Sequence, residues 1–371
     1  MTDLAQVRLV YVAPAHGRSG VGDYATDFID AIRPHVLEVI EYRIDTEGSE
    51  RLSEVVRHMR GVRAAVRKAG DSGPVIAHFE QSAGSLSTFW AAALPAVVPV
   101  TATIHDAPRP VWWPFKTELL TRHRLLHHAV HYPLRPLSDA VQRRVSRNRT
   151  VFTLTTIGAD RTRQLLRSSR VVPTRIFVPD RDDTIAVTDR PPAVGLFGHV
   201  YKGKGFDLID RLRAGLDDGI DIVVAGRGTE NLPPTPGVRI LGEVNGADED
   251  AFFTGIRFLV VPYSKDNKYG KVWAASSAVA RSFAYGTPIV CILDGSLAET
   301  AAEGGAVGVD SAGPGSGIDA IAAAVNAAIG DPARMAALAA QVQALRVARS
   351  GGECARPVLD AWREIAGGLR S

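Results

Sequence analysis

The sequence predicts two α/β domains in tandem, each built on an open, doubly wound parallel sheet of Rossmann-like type. The first observation is an alternation of short apolar runs and helical stretches over residues 7–155. The second is a polar, proline-bearing segment at residues 173–190, which is typical of a linker. The third is a renewed alternation over residues 193–292. Strands that alternate with helices indicate parallel sheets with crossover helices, here one sheet in each half.

The individual elements follow from local patterning. Strands are expected where apolar and β-branched residues run between turn residues, and helices where apolar residues recur three and four positions apart. The predicted strands are residues 7–13, 36–42, 75–78, 100–104, 151–155, 193–198, 221–225, 238–241, 258–262 and 288–292. The predicted helices are residues 24–32, 52–68, 206–216, 248–254, 278–285, 318–329, 332–350 and 357–369. Residues 301–316 are rich in glycine and alanine and are predicted to be a loop.

The predicted domains are residues 1–185 and 186–350, and residues 351–371 are predicted to form a helix that packs back on the first domain. Ligands bind outside the carboxyl ends of the strands in open α/β sheets. A cleft between the two sheets is therefore the expected ligand site, although the fold alone does not name the ligand.

The composition is that of an ordinary globular protein, with 46% hydrophobic and 22% charged residues among 371. No run approaches the ~18 uninterrupted apolar residues that a membrane-spanning helix needs, and the N-terminus lacks a signal-peptide pattern. Cys291 and Cys354 have no CxxC or histidine neighbours, so neither a disulfide framework nor a zinc site is expected. A cytoplasmic location follows as the expectation.

The net charge is only +3, but its distribution is uneven. Residues 100–175 hold fourteen Lys and Arg against four Asp and Glu. Such a stretch indicates an anionic partner, which leaves nucleic acid, an anionic membrane surface, an anionic substrate or simply a solvated basic face.

Two glycine-rich turns are candidate phosphate sites. Gly20 and Gly22 follow the first strand and precede a helix, where backbone N–H groups and the helix dipole favour an anion. The first strand of the second half leads into G-H-V-Y-K-G-K-G, and its His199, Lys202 and Lys204 carry donors suited to a diphosphate. This stretch lacks the GxxxxGK[ST] order of a P-loop, which argues against an ATPase. A tight turn and an exposed basic turn are the structural alternatives.

A third candidate anion site is a serine-capped helix start. Ser276 and Ser277 stand before a predicted helix that ends at Gly286. A capped helix N-terminus that faces a cleft binds anions, while capping of the helix by itself is the structural alternative.

Polar side chains follow two strands of the first half. His105 and Asp106 come directly after one strand, with Arg109 close behind, and His78 and Glu80 end the preceding strand. Histidine donates hydrogen bonds and exchanges protons near neutral pH, so His105 is the candidate catalytic residue. Asp106 is expected to orient it or bind the acceptor, and Glu80 is a candidate base or acceptor ligand. His78 and Arg109 are expected to bind the acceptor, and a structural role of the histidine is the alternative.

The order of these motifs resembles the GT-4 family of retaining glycosyltransferases, which have the GT-B fold. The resemblance covers nearly the whole chain. The matching features are the glycine turn at Gly20 and Gly22, the His105-Asp106 pair, Lys204-Gly205, the turn at Ala225-Gly226, the strand end at Gly242 and the final Gly286-Thr287-Pro288.

The resemblance implies transfer of a sugar, as a hexosyltransferase does, from a nucleoside-diphosphate sugar to a glycan, lipid-linked or small-molecule acceptor. It implies a donor site in the second domain, an acceptor site in the first, retention at the anomeric carbon, and no metal or other cofactor. It assigns donor or nucleotide binding to Gly20, Gly22, His199, Lys202, Lys204, Gly226, Gly242, Val244, Ser276, Ser277 and Arg281.

The sequence also departs from the family pattern. The two acidic positions of the family fall here on Trp273 and Arg281, so the contact with the donor ribose differs. The acidic segment 180–183 looks like a metal-binding DxD motif but is predicted to be a solvated loop.

The basic stretch adds a hypothesis about the acceptor. Trp112 and Trp113, assigned here to acceptor binding, stand beside Phe115 and Lys116 and precede many arginines. Exposed aromatic rings beside cations are typical of a membrane interface. We therefore expect residues 108–149 to contact the inner face of a membrane and the acceptor to be lipid-linked or membrane-proximal. The alternative is that the rings fill the core and the arginines form a solvated face.

Three other functions fit less of the pattern. One is a GT-B epimerase or phosphorylase-type enzyme. Another is a non-catalytic GT-B binding module, which the missing acidic residues favour. The last is a nucleic-acid binder through residues 100–175, which contain no recognised reader motif, so nucleic acid is not an expected partner.

Overall fold

The computed structural model describes residues 2–17, 19–45, 50–121, 131–181, 185–201, 203–263, 274–310 and 316–369. The chain divides into two compact units, each described here by itself. Unit 1 comprises Met1–Arg175, Trp273–Ala275 and Gly351–Ser371, and unit 2 comprises Ile176–Val272 and Ser276–Ser350. The division falls before the predicted 185/186 boundary because Val178 already belongs to unit 2, where its N–H donates to the carbonyl of Arg349 at 2.7 Å.

Unit 1 contains a six-stranded, fully parallel sheet in the order β2-β1-β3-β4-β5-β6. Its strands are β1 (Arg8–Pro14), β2 (Glu38–Ile44), β3 (Val75–Gln81), β4 (Val100–Ile104), β5 (Thr150–Thr153) and β6 (Arg170–Pro173). The strand order reverses at β1, so the carboxyl edge of β1 and β3 is the topological switch point where ligands bind in such sheets.

The helices of unit 1 lie between its successive parallel strands, except the C-terminal one, which follows the last strand of unit 2 in the chain. They are α1 (Gly20–Ile32), α2 (Leu52–Gly70), α3 (Leu86–Ala91), α4 (Glu118–Thr121), α5 (Arg135–Ser146), α6 (Thr156–Leu165) and α13 (Gly351–Gly367). The strands β1, β3 and β4 are almost fully buried, which explains their continuous apolar sequences.

Unit 2 repeats the architecture with the order β12-β11-β10-β7-β8-β9. Its strands are β7 (Ala193–Phe197), β8 (Asp221–Ala225), β9 (Val238–Gly242), β10 (Phe258–Val261), β11 (Ile289–Ile292) and β12 (Ala306–Val309). Its helices are α7 (Ile209–Gly215), α8 (Ala247–Thr254), α9 (Ser277–Ala284), α10 (Ser296–Glu303), α11 (Ser316–Ile329) and α12 (Pro332–Ala348). Two apolar clusters lie in this unit, lined by residues of the strands and of the helices around them.

The predicted fold class is confirmed, with three local corrections. β6 lies partly in the segment predicted as a linker, and β12 lies in the segment predicted as a loop. Both are four-residue strands at the end of a sheet, so their partners and not their own composition decide the conformation. α13 begins at Gly351 and carries Pro357 inside it, whereas the sequence prediction began the helix at that proline.

α13 is held in unit 1 by buried contacts. Trp362 is fully buried and its Nε1–H donates to the hydroxyl of Thr101 on β4 at 3.0 Å. The hydroxyl of Thr174 donates to the carbonyl of Cys354 at 2.8 Å. The C-terminal helix therefore contributes the indole ring of Trp362 and its N–H donor to the interior of unit 1, against β4. In the described part of the chain, no helix has the length and apolarity to cross a bilayer.

Candidate functional site

The carboxyl ends of β3 and β4 bring three titratable side chains of unit 1 together. Glu80 on β3 is in register with Thr103 on β4, and His105 follows β4 directly. The N–H of His105 donates to the carbonyl of Gln81 at 2.9 Å, which extends the ladder past the strand end. His78 lies two residues before Glu80 and so projects to the same face of the sheet.

Glu80 is a buried carboxylate surrounded by donors. It is fully buried, its Oε2 lies 2.5 Å from Nε2 of His105, and its Oε1 lies 3.2 Å from Nε2 of His78. The phenol of Tyr11 donates to Oε1 as well. Burial alone would raise the pKa of Glu80, but hydrogen bonds and charge from His105 and His78 outweigh it and bring the pKa to about 2. Glu80 is therefore ionised near neutral pH.

His105 is the most accessible member of this group. Its side chain is 10% exposed, and its ring meets the edge of Tyr24 with centroids 4.9 Å apart. Because Nε2 faces the Glu80 carboxylate, the second ring nitrogen, Nδ1, is left for another contact, and no described residue hydrogen-bonds to it. An imidazole oriented by a buried carboxylate is an arrangement that hydrogen-bonds to a ligand or exchanges a proton.

Asp106 and Arg109 hold the loop after β4. Oδ2 of Asp106 accepts from the N–H of Ala83 at 2.8 Å, and Arg109 forms an ion pair with Asp139. Asp106 is itself solvent-exposed. In the described structure these side chains make loop contacts, and their predicted roles in acceptor binding and in orienting His105 remain predictions.

The two tryptophans differ in environment. Trp113 is fully buried, so the expectation that it is exposed at a membrane interface is wrong. Trp112 is half-buried and packs on His131 with ring centroids 4.4 Å apart. Trp113 also packs on His131 and on Phe115, so the aromatic cluster belongs to the interior of unit 1. The sequence could not separate the two because adjacent aromatic residues give no periodic signal.

Packing of the backbone requires a glycine at position 22, in the turn between β1 and α1. The hydroxyl of Ser19 caps α1 by accepting from the N–H of Gly22 at 3.4 Å. A Cβ on Gly22 would lie 2.2 Å from the carbonyl oxygen of Ala15, so only glycine fits. Oδ1 of Asp23 already accepts from the N–H of Gly17 at 2.9 Å. A carboxylate of the chain thus occupies part of this turn, and Gly20 begins the helix.

Lys204 is the cation of the second candidate site, in unit 2. Its Nζ lies 3.8 Å from the ring centroid of Tyr263 and 5.4 Å from that of Tyr201, and it donates to the Tyr263 hydroxyl. Burial by itself lowers the pKa of Lys204, but the two tyrosines more than offset this and raise it. None of the described carboxylates pairs with this ammonium group. Lys204 is therefore a half-buried, protonated cation between aromatic rings.

The start of α9 adjoins this cation. The hydroxyl of Tyr263 lies 3.1 Å from Oγ of Ser276, the N-cap residue of α9. The Ser276 side chain makes no capping bond with its own helix, and Ser277 is the first helical residue. A helix N-terminus beside a lysine is favourable for a phosphate.

The glycines assigned to the donor site hold neighbouring strand ends together. A Cβ on Gly226 would lie 2.2 Å from the carbonyl oxygen of Gly198, and Gly226 has a φ of +127°. The N–H of Gly226 donates to the carbonyl of Gly242 at 2.7 Å. Val244 is buried in the core of unit 2. Contacts within unit 2 therefore explain why these residues stand where they do, and the predicted role in ligand binding is not needed to explain them.

Two of the remaining donor-site residues are at the surface or paired. Arg281 forms an ion pair with Glu249 at 2.6 Å, and His199 is exposed beside Arg227 and Glu243. Partial burial and the Arg227 cation lower the pKa of His199. Lys202 and Trp273 lie outside the described residues, as do Asp182 and Asp183 of the acidic segment. Sequence reasoning missed Tyr201, Tyr263 and Trp362, because aromatic side chains in these segments look like ordinary core residues.

The comparisons with known proteins concern the fold. A sucrose-phosphate synthase from Thermosynechococcus elongatus superposes with a TM-score of 0.68 at 13% identity, covering 98% of this chain and 100% of that one. HepE from Anabaena, solved with UDP and glucose, gives a TM-score of 0.62 at 13% identity and covers 96% and 99%. A glycosyltransferase from Rickettsia africae gives 0.65 at 10% identity and covers 98% and 100%.

These similarities extend over both units, and the two parallel sheets match in architecture. The chain therefore has the GT-B fold of glycosyltransferases, as the sequence predicted. At such low identity the likeness shows the fold alone. No protein-family model matches the sequence, and no curated protein matches it.

Proposed function

We propose that the protein transfers a sugar from a nucleoside-diphosphate sugar to an acceptor. The observation that supports this most is the environment of Lys204: a protonated ammonium beside the start of α9, with no described carboxylate to neutralise it. Such a cation fits a diphosphate, on which charge builds up as the glycosidic bond breaks. Several neighbours in fold were solved with UDP or UDP-glucose, which supports the same ligand class here.

In this proposal unit 1 contributes His105 to the sugar or the acceptor. The Glu80 carboxylate holds the imidazole by Nε2, so Nδ1 is available to a hydroxyl group. Retention of configuration, a hexose as the transferred sugar and membership of the GT-4 type are part of the proposal and rest on the motif order. A sugar-phosphate epimerase or phosphorylase and a non-catalytic binding module are the alternatives.

A donor panel tests the proposed function directly. Purified full-length protein is incubated with UDP-, GDP- and ADP-sugars, and release of the nucleoside diphosphate is measured with and without candidate glycan and lipid acceptors. Release of the nucleoside diphosphate from only one class of nucleotide sugar supports the transferase. Binding of nucleotides without release would favour a binding module, and turnover of a sugar phosphate without acceptor would favour the epimerase or phosphorylase.

Lys204→Ala is expected to weaken binding of a nucleoside diphosphate far more than binding of its nucleoside. A charge-assisted contact with phosphate contributes about 1.5–3 kcal/mol, or roughly a tenfold to hundredfold change in Kd. Calorimetry with UDP and uridine, or with GDP and guanosine, measures the difference. Arg211→Ala is the control, because this exposed arginine of unit 2 pairs with Asp319. Equal losses for nucleotide and nucleoside would contradict the phosphate assignment.

His105→Ala is expected to lower kcat by about 10²–10⁴-fold while nucleotide affinity stays near that of the wild type. The reason is placement, because His105 belongs to unit 1 and the proposed diphosphate site belongs to unit 2. Initial rates and calorimetry on the same preparation separate the two effects. His35→Ala, an exposed histidine of unit 1, is the matched control. Parallel loss of nucleotide affinity would remove His105 from the proposed role.

A membrane-proximal acceptor remains part of the proposal, with different residues from those the sequence indicated. Tyr132 and Leu137 are 58% and 49% exposed at and near the start of α5, and Arg144 is exposed on the same helix. Large apolar side chains beside cations fit the headgroup region of an anionic membrane. The buried Trp113 takes no part.

Flotation with vesicles that contain anionic lipid tests this surface. Wild-type protein is expected to float with the vesicles at low salt and to dissociate as salt rises. Leu137→Glu should reduce the bound fraction several-fold, whereas Leu37→Glu, at a 52% exposed leucine elsewhere in unit 1, should not. Failure of the wild type to float at low salt would leave an acceptor free in solution.

A further inference from the structure

A chain of hydrogen bonds runs through unit 1 from α13 to His105. Trp362 Nε1 lies 3.0 Å from Thr101 Oγ1, which lies 2.9 Å from Nδ1 of His78. Nε2 of His78 lies 3.2 Å from one oxygen of Glu80, and Nε2 of His105 lies 2.5 Å from the other. The first four members are fully buried. Water therefore cannot satisfy or reverse these bonds, and each donor must meet an acceptor within the chain.

The direction of the bonds is fixed at the tryptophan end. The indole N–H is a donor only, so the oxygen of Thr101 must accept from Trp362. Among the described residues, Nδ1 of His78 is the other side-chain partner of this hydroxyl, so we assign the single hydroxyl hydrogen of Thr101 to it. In a neutral His78 this places the ring hydrogen on Nε2.

The carboxylate end leads to the same assignment. Because the pKa of Glu80 is about 2, its carboxylate is an acceptor at working pH. The nitrogens that face it, Nε2 of His78 and Nε2 of His105, must both carry hydrogen. Thr103 Oγ1 lies 3.2 Å from Nε2 of His78 and offers a second acceptor at that position. The argument from Trp362 and the argument from Glu80 thus both place the ring hydrogen of His78 on Nε2.

We propose that Trp362 is a positioning residue of the active site, acting through Thr101, His78 and Glu80 to fix the orientation of His105. Its N–H sets the direction of the hydrogen bonds, and His78, with hydrogen on Nε2, holds the Glu80 oxygen to which the Tyr11 hydroxyl also donates. The other oxygen is then held towards His105, whose ring orientation decides where Nδ1 points. The role of His105 in turnover rests on the proposed function, whereas the state of His78 does not.

Nitrogen-15 NMR of histidine-labelled full-length protein reads the state of His78 directly. The wild type is expected to show a neutral ring with hydrogen on Nε2 and none on Nδ1. Trp362→Phe keeps an aromatic ring but removes the N–H. This variant is expected to show a second His78 tautomer and a kcat for the donor found in the panel that is roughly fivefold to tenfold lower, as the loss of one hydrogen bond implies. The KM for the donor should stay within about twofold, because the proposed diphosphate site belongs to unit 2 and these hydrogen-bonded side chains belong to unit 1.

Two further variants keep the test decisive. Trp90→Phe makes the same chemical change at a tryptophan of unit 1 that donates to the carbonyl of Pro114 at 2.7 Å, and it should leave His78 and kcat unchanged. Thr101→Val interrupts the row of hydrogen bonds without substituting a residue of α13, and it should reproduce the Trp362→Phe spectrum. It replaces that variant if the latter does not fold.

A wild-type His78 with hydrogen on Nδ1 would overturn the proposal, as would a Trp362→Phe or Thr101→Val enzyme indistinguishable from Trp90→Phe. If the wild type released no nucleotide from any donor, the proposed function would fail and with it the role of Trp362 in catalysis. The His78 spectrum would then still show whether the hydrogen bonds run in the stated direction.

Discussion

Arg190→Met is expected to lower the free energy of unfolding of unit 2 by about 3–5 kcal/mol, since removing a buried charged partner leaves polar groups unpaired. Arg190 is 2% exposed, and its guanidinium donates to the carbonyls of Phe253, Ile256 and Tyr285 at 2.9, 3.0 and 2.6 Å. It also donates to the hydroxyl of Thr287 at 2.6 Å. Burial lowers its pKa to about 10, so the group stays charged near neutral pH. The variant loses the charge and leaves these acceptors in the interior without their donor.

Hydrogen exchange of amides in β7, β10 and β11 measures this effect within unit 2, which avoids assuming that the whole chain unfolds in one step. Arg211→Met is the matched control, because Arg211 and Asp319 form a pair with about half of each side chain exposed, and it should change stability by no more than about 0.5 kcal/mol. Arg190→Lys should recover little, because lysine lacks the planar fork of five donors. Protection in Arg190→Met equal to that in the control would show that these acceptors find other partners.

Glu80→Gln is expected to lower the free energy of unfolding at pH 7 by on the order of 3 kcal/mol, from a folded-state pKa of about 2 against an ordinary value of 4.5. The shift is downward, so the ionised carboxylate stabilises the fold above its unfolded-state pKa. This contribution is lost as the pH falls from about 4.5 towards about 2. The stability gap between wild type and variant should therefore be widest near neutral pH and narrow on acidification.

Urea denaturation at a series of pH values from 7 down to 3 measures the gap. Glu38→Gln is the control, because Glu38 is a largely exposed carboxylate of the same unit, paired with Arg8 at 3.3 Å, and should show no comparable gap. A gap that stays constant with pH would mean that Glu80 stabilises unit 1 by packing alone. Turnover of the variant should fall as well. The glutamine side chain has an NH2 group in place of one carboxylate oxygen, and this group faces an N–H or O–H donor instead of accepting from it.

Much of the fold was predictable because apolar runs and turn residues, which indicate strands and helices, act over a few neighbouring residues. The strands β4 and β8 were predicted to the residue, since their apolar runs are bounded by turn residues. β6 and β12 were not predicted, because these four-residue runs carry too few apolar residues to stand out from the segments around them. The start of α13 was misplaced because Pro357 reads as a first-turn proline, whereas the structure carries it inside the helix.

Some features of the candidate site could be predicted from the sequence, and others became visible only in the structure. His105, Glu80 and Lys204 were named as candidates because polar and charged residues stood at the ends of strands or in the turns that follow them. The buried state of Trp113 and the hydrogen bond from Trp362 to Thr101 were not predicted, because both depend on elements distant in the chain. The sequence assigned Arg281 to donor binding but could not predict its ion pair, since its partner Glu249 lies on another helix of unit 2.

The sequence by itself determined two parallel α/β sheets, the succession of most of their strands along the chain and the positions where polar residues follow them. These properties depend on periodicity and on turn chemistry, which act over a few residues. Only the tertiary structure decided that Glu80 is an ionised, fully buried acceptor and that Lys204 lies between two tyrosines. Desolvation, hydrogen-bond direction and pairing arise from side chains that the chain brings together over tens to hundreds of residues, and a linear sequence carries no signal for those encounters.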